Sequence, residues 1–394
     1  MSRLERTVVG PIGAVLGGIA IVGAAFAAAT AATAIVFARR VVTPELERED
    51  DLRIERVDLA AGEVVLSGSE DARMRGRYGL WFEHDSGYAR VGDVLHDDGH
   101  RVRRVIESVE FGRLDRAARG RISGWVHLGP WEVAERYENV LVPTPLGPAP
   151  AWFVPATDAA GAPSADWLVV VHGRGAKRHE GLRAVEPATR AGWSSLLVSY
   201  RNDGEAPASE DRRYGLGGTE WEDVVAAVRF AVDRGARRIV LMGWSMGGSI
   251  ALQTVLRSEE VREHLVGVVL ESPAVDWPDI LRFQGRALGL PAELGGAVAR
   301  VLSAPIAGTL TGLAAPIDLE ALDAVARADE LHVPILLMHS EDDGFVPIDG
   351  SRRLAEVRSD LVQFEVFEGA RHTKLWNHDP SRWTMLLHDW LAER

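Results

Sequence analysis

The sequence predicts an α/β protein: a mostly parallel sheet with helices on both faces, preceded by a small β-rich domain and an N-terminal membrane-spanning helix. Three observations carry this expectation. After Glu138, continuous apolar strands alternate with helical segments, the rhythm of a parallel sheet covered on both faces. Before that point the apolar runs are short and broken by Gly and Asp, as in small β domains. At the start, Val8 to Ala38 forms 31 residues without a charge or a histidine, enough as a helix to exceed the ~30 Å core of a bilayer.

The 394 residues are 46% hydrophobic and 26% charged with a net charge of −13, a globular composition that excludes disorder and lacks the basic face needed by a nucleic-acid partner. Cysteine is absent, which excludes disulfides, thiolate metal sites and a cysteine nucleophile.

Residues 1–40 read as a single-pass anchor. Arg3 and Arg6 precede the apolar run and Arg39 and Arg40 follow it, so the cation bias that sets orientation is nearly even. Small-residue cleavage sites occur at Ala25-Phe26-Ala27 and Ala32-Thr33-Ala34, yet the run is about twice a signal-peptide core of roughly 7–15 residues. Residues 41–137 read as the β-rich domain, with strands at Glu63–Leu66, Tyr78–Glu83, Ala89–Leu95, Val102–Val109 and Gly124–Leu128. Within it, His96-Asp97-Asp98-Gly99-His100 reads as a hairpin turn rather than a metal site.

Residues 138–394 hold the α/β unit. Its strands are expected at Trp167–Val171, Ser195–Ser199, Arg238–Met242, Leu265–Leu270, Val333–Met338 and Val362–Phe367. Thr219-Glu220-Trp221-Glu222 reads as a capping box opening a crossover helix, and Gly215–Gly218 before it as a turn. Asp276 to His332 is too long for a simple connection; it is either a helical cap lining an acyl pocket or an ornamented crossover.

The chemistry concentrates at Gly243-Trp244-Ser245-Met246-Gly247, between the strand ending at Met242 and the helix Gly248–Leu256. A sharp strand-to-helix turn lifts a serine oxygen off the sheet edge, and glycines flanking it let strand and helix approach closely. A serine nucleophile needs a base to take its proton and an acid to hold that base. Both are available beyond later strands, in His339-Ser340-Glu341-Asp342-Asp343 and in Glu368-Gly369-Ala370-Arg371-His372.

On these motifs the segment from about Glu138 to Arg394 resembles the α/β-hydrolase superfamily, nearest in look to its serine aminopeptidase and prolyl-oligopeptidase-like branches. The resemblance adds His172-Gly173-Arg174-Gly175 as the oxyanion loop. It aligns the family's H-G-x-x-D-x-x-V-P segment with His339–Pro347, which selects Asp343, with Ser340 in place of the family's glycine. It implies an α/β-hydrolase fold with Ser245 as nucleophile, His372 as base then acid and Asp343 as the orienting acid. The oxyanion would meet the backbone N–H groups of Arg174 and Met246. No metal or organic cofactor is implied. Rival acids are Asp342 and Glu271; rival bases are His378 and His388. Arg174, Lys177, Arg178, His179 and Arg183 form a cationic cluster, read either as recognition of an anionic substrate group or as a solvated face. The expected activity is a membrane-anchored serine hydrolase cleaving an ester, thioester or amide of a small-molecule, lipid-like or peptide acyl substrate. A peptidase or acyltransferase on the same triad, and a non-catalytic binding module on the same fold, are the alternatives.

Overall fold

The computed structural model describes residues 30–45, 48–158, 160–289 and 292–394. Most of the apolar run Val8–Ala38, and with it the anchor of residues 1–40, lies outside these residues. Among the described residues no helix is long and apolar enough to cross a membrane. What is described of that segment is a helix over 30–42 whose Ala34, Ala38, Val41 and Val42 are buried in the core of the α/β unit. The end of the apolar run therefore packs on protein.

The β-rich domain is a closed six-stranded antiparallel barrel, in the order β1-β2-β5-β4-β3-β6. Its strands are β1 (Leu52–Asp58), β2 (Glu63–Ser67), β3 (Tyr78–Phe82), β4 (Gly87–Asp97), β5 (Arg101–Phe111) and β6 (Arg119–Ser123). Closure removes free edges, and alternate residues such as Val64, Leu66, Leu80 and Phe82 fill the interior. Arg104 is also fully buried there. Its guanidinium donates to the carbonyls of Ala72, Met74, Gly76 and Gly92, so the charge is solvated by backbone dipoles. The expected turn at Asp97–Gly99 joins β4 to β5, with Asp98 accepting from the amides of His100 and Arg101. The expected strand Gly124–Leu128 is instead a loop: the carbonyls of Trp125 and Val126 accept from the Tyr88 hydroxyl rather than from a neighbouring strand.

The second unit is an eight-stranded sheet, β14-β13-β12-β11-β9-β10-β8-β7. It comprises β7 (Glu138–Thr144), β8 (Gly147–Val154), β9 (Asp166–Val171), β10 (Ser194–Val198), β11 (Arg238–Trp244), β12 (Leu265–Glu271), β13 (Ile335–Ser340) and β14 (Val362–Phe367). β9 to β14 run parallel; β8 pairs antiparallel with β10 and with the edge strand β7. One core, containing Val224, Val228, Ile250 and Val255, covers one face. A second, containing Trp193, Trp244, Trp383 and Leu387, covers the other. The crossover helix starts at Trp221 without a capping box. Glu220, fully buried, instead accepts from the amides of Gly215, Gly217 and Thr219. Between β12 and β13 stand the helices Trp277–Ala287, Ala292–Ser303 and Ala307–Thr311, a helical cap rather than one crossover. The two units are joined through Asn377, whose side chain donates to the carbonyls of Arg77 and Gly124.

Candidate active site

Ser245 stands at the turn between β11 and the helix Met246–Arg257, with φ 50° and ψ −118°. A non-glycine residue adopts that conformation only where its surroundings impose it. Here the imposition is crowding. A Cβ on Gly243 would stand 2.3 Å from the Gly247 carbonyl oxygen, and one on Gly247 would stand 2.3 Å from that of Val171. The strand, the helix and the loop after β9 thus close on the turn and leave the serine side chain to project. His372, from the loop after β14, lies with Nε2 2.9 Å from Ser245 Oγ. Its Nδ1 lies 2.7 Å from Asp343 Oδ2. Asp343, beyond the end of β13, is buried, and its Oδ1 accepts from the amides of Phe345 and Val346 at 2.9 and 2.8 Å. Burial alone would raise its pKa, but the facing His372 and the hydrogen bonds from His339 and His372 outweigh it and hold the carboxyl well below its ordinary range. His339 is in turn fixed, with Nδ1 2.8 Å from Ser351 Oγ.

Two backbone N–H groups are aimed by the opposite ends of their own peptides. The Ser245 carbonyl accepts from Gly248, Ser249 and Ala274. In a trans peptide N–H and C=O are antiparallel, so the Met246 N–H points away from those donors, out of the helix N-terminus. The Gly173 carbonyl accepts from the Tyr200 hydroxyl at 3.0 Å, which turns the Arg174 N–H the other way. Glu180 pins the same loop by accepting from the Gly173 amide at 2.7 Å.

Residues 168–384, more than half of the chain, match the alpha/beta hydrolase family. The chain belongs to the alpha/beta hydrolase family. Residues 53–123, the barrel, match a domain family of unknown function, DUF8805. An esterase of Pyrococcus furiosus superposes with a TM-score of 0.50 at 16% identity, over 68% of this chain and 94% of that one. A monoacylglycerol lipase of Paleococcus ferrophilus gives 0.43 at 20% identity, over 62% and 98%. Identities this low speak to the fold alone.

In this α/β hydrolase the rival acids and bases are occupied elsewhere. Asp342 accepts from the Gly369 amide at 2.6 Å. Glu271, fully buried, accepts from the indoles of Trp244 and Trp383. His378 packs behind Gly369, and His388 bonds its neighbour Asp389. The cationic cluster is neither a solvated face nor a single anion site. Arg174 donates to the carbonyls of Arg40, Val41 and Thr43 at the end of the N-terminal helix. Lys177 and Arg178 pair with Glu205, Arg183 bonds Thr373 and Asn377, and His179 lies between Trp125 and Trp152.

Ser245 and His372 open into a cavity of about 570 Å³. Trp277, Ile280 and Leu288 of the cap, Phe37 and Val41 of the N-terminal helix, and Phe345 give it an apolar wall; Arg48, Trp125 and Lys374 line it as well. Nothing in the sequence pointed to the barrel loop or to the N-terminal helix as parts of the site, because both arrive through contacts between residues far apart in the chain.

Proposed function

We propose that this α/β hydrolase is a serine hydrolase that cleaves an acyl ester through an acyl-enzyme intermediate. The hydrogen-bonded chain Ser245–His372–Asp343 at the mouth of a half-apolar cavity carries the reading. Ser245 Oγ attacks the acyl carbon as its proton passes to His372 Nε2, and Asp343 holds the imidazole and balances its charge. The oxyanion lies against the N–H groups of Met246 and Arg174. Collapse of the tetrahedral intermediate breaks the bond to the leaving oxygen, which takes the proton from His372. Water then repeats the sequence on the acyl-enzyme, releasing the acid and restoring Ser245. The apolar wall favours an acyl chain over a peptide, and the similar solved structures include the Pyrococcus furiosus esterase. The apolar residues 8–29, ahead of the stretch that packs on protein, tether the enzyme to a membrane in this reading, which expects the full-length chain to sediment with membranes and resist carbonate extraction.

A fluorophosphonate probe tests the assignment without knowledge of the substrate, because it reacts only with a serine activated by a neighbouring base. Folded wild type should label at Ser245 and Ser245→Ala should not label. Folded wild type that fails to label would leave a binding module on a hydrolase fold.

A further inference from the structure

The cavity has a polar side that acyl hydrolysis alone does not use. Four cations line it, Arg40, Arg48, Arg174 and Lys374, against two carboxylates, Glu45 and Glu180. That is a positive site in a chain of net charge −13. The carboxylates are already engaged: Glu180 takes the Gly173 amide and lies 3.5 Å from Arg183, and Glu45 lies 3.6 Å from Arg174. The Arg174 guanidinium is taken up by the three helix-end carbonyls. Arg40 is exposed to solvent, and Lys374 and Arg48 differ from both it and Arg174. Among the described residues neither pairs with a carboxylate. The chain's other lysine, Lys177, pairs with Glu205 at 3.6 Å. Among the described residues the Lys374 ammonium reaches only the His372 carbonyl, at 3.5 Å. Arg48 donates one bond, to the Gly175 carbonyl, and lies over the Trp125 ring at 5.4 Å.

The placement fixes which part of a substrate these cations meet. The leaving oxygen takes its proton from His372, so the departing alcohol lies on the His372 side of the bond being broken. Lys374 is two residues further on, with its ammonium on the carbonyl of that same histidine. Its stem runs past Gly124 of the barrel loop, where an added Cβ would stand 3.7 Å from Lys374 Cε. Burial presses the ammonium below its ordinary pKa, with Asp71 and Glu180 opposing and Arg48 and Arg183 adding to it. A half-buried cation of this kind gains most from an anionic ligand.

We propose that Lys374 and Arg48, with Trp125 beneath Arg48, form a leaving-group subsite, so that the preferred substrates are acyl esters whose alcohol portion carries a carboxylate or a phosphate. The inference rests on the hydrolase reading above and names its substrate class.

The test compares butanoyl esters of glycerol, of 3-hydroxypropanoate and of glycerol 3-phosphate on the full chain, with fluorophosphonate labelling in parallel. Wild type should favour one or both anionic esters over the neutral one by about tenfold or more in kcat/KM, and the two anionic arms separate carboxylate from phosphate. Lys374→Met and Arg48→Met should remove most of that ratio through KM, and Lys177→Met, the lysine outside the cavity, should keep it. Labelling at Ser245 with a ratio near one, or variants that lose neutral and anionic hydrolysis equally, would overturn the subsite and leave the hydrolase standing. If no ester is cleaved and no label is taken, the hydrolase reading falls. Calorimetry with glycerol 3-phosphate and with 3-hydroxypropanoate on Ser245→Ala then decides the subsite: binding of either that is lost on adding Lys374→Met supports it, and binding of neither overturns it.

Discussion

At the scale of single residues, Asp342 and Asp343 are adjacent carboxylates with different work. Asp343 faces His372, whereas Asp342 ties the Gly369 amide. Asp343→Asn and His372→Ala should each slow hydrolysis by roughly three to six orders of magnitude, since the histidine loses its orientation or is lost. Asp342→Asn should cost far less, and steady-state rates on one ester distinguish the two. Asp343 also carries a stability prediction. Its folded-state pKa is depressed, so its contribution is present in full above the unfolded value of ~3.9 and is lost as the pH falls through the lower folded value. Below pH ~4 the thermal midpoint of wild type should therefore drop more steeply than that of Asp343→Asn. These residues were legible in the sequence because each motif is local: a turn beside a strand end needs only its own few residues. Thr219–Glu222 was misread as a capping box although the true contacts, from Glu220 to the amides of Gly215, Gly217 and Thr219, are equally local. A capping box and a buried carboxylate gathering three loop amides use the same residue types, and burial decides between them.

At the scale of elements, the strands from β9 onward were legible as apolar runs, but β7 and β8 were not. Pro143, Pro148 and Pro150 interrupt the alternation, and an edge hairpin tolerates them. The N-terminal helix is the larger surprise, since its end forms part of the cavity rim. Arg174, whose backbone N–H is assigned to the oxyanion, holds the last carbonyls of that helix through its side chain, a charge-assisted C-terminal cap. Removing residues 1–42 should therefore cost more than a membrane tether: it strips Phe37 and Val41 from the cavity and leaves the oxyanion loop unsupported. Hydrolysis of a water-soluble ester should fall by about tenfold or more, equivalent to the loss of roughly 1.4 kcal/mol of support. Unchanged turnover would show the helix to be a tether alone. The cap carries its own prediction. With Trp277, Ile280 and Leu288 along the wall, kcat/KM should rise with acyl length by up to about 0.8 kcal/mol per buried CH₂ until the cavity is full. A flat profile would deny the cap a part in recognition.

At the scale of the whole molecule, the barrel and the hydrolase unit meet across His179, which the sequence placed only in a cationic cluster. Its ring stacks on Trp125 of the barrel loop, centroids 5.4 Å apart, and meets Trp152 of β8 edge-on at 4.7 Å. Burial, with Arg178, Lys177 and His172 close by, lowers its pKa to about 4, and the backbone of Leu128 opposes this only weakly. The unfolded chain takes up this proton first, below its ordinary pKa of ~6.5. As the pH falls from there toward 4 the unfolded state is progressively favoured, by at most about 3 kcal/mol once both states can bind the proton. The loss is borne by the seam between the units, so mild acid should loosen the barrel from the hydrolase unit and take Trp125 out of the cavity wall. This window lies above the one in which Asp343 acts, and the two are separable. His179→Phe keeps a ring between the two tryptophans without a titrating nitrogen, and should flatten the fall of the thermal midpoint between pH 6.5 and 4.5 while leaving the steeper fall below pH ~4 in place. An unchanged slope in the upper window would mean that the seam is held by other contacts, with Asn377 and its two carbonyl partners the first to test.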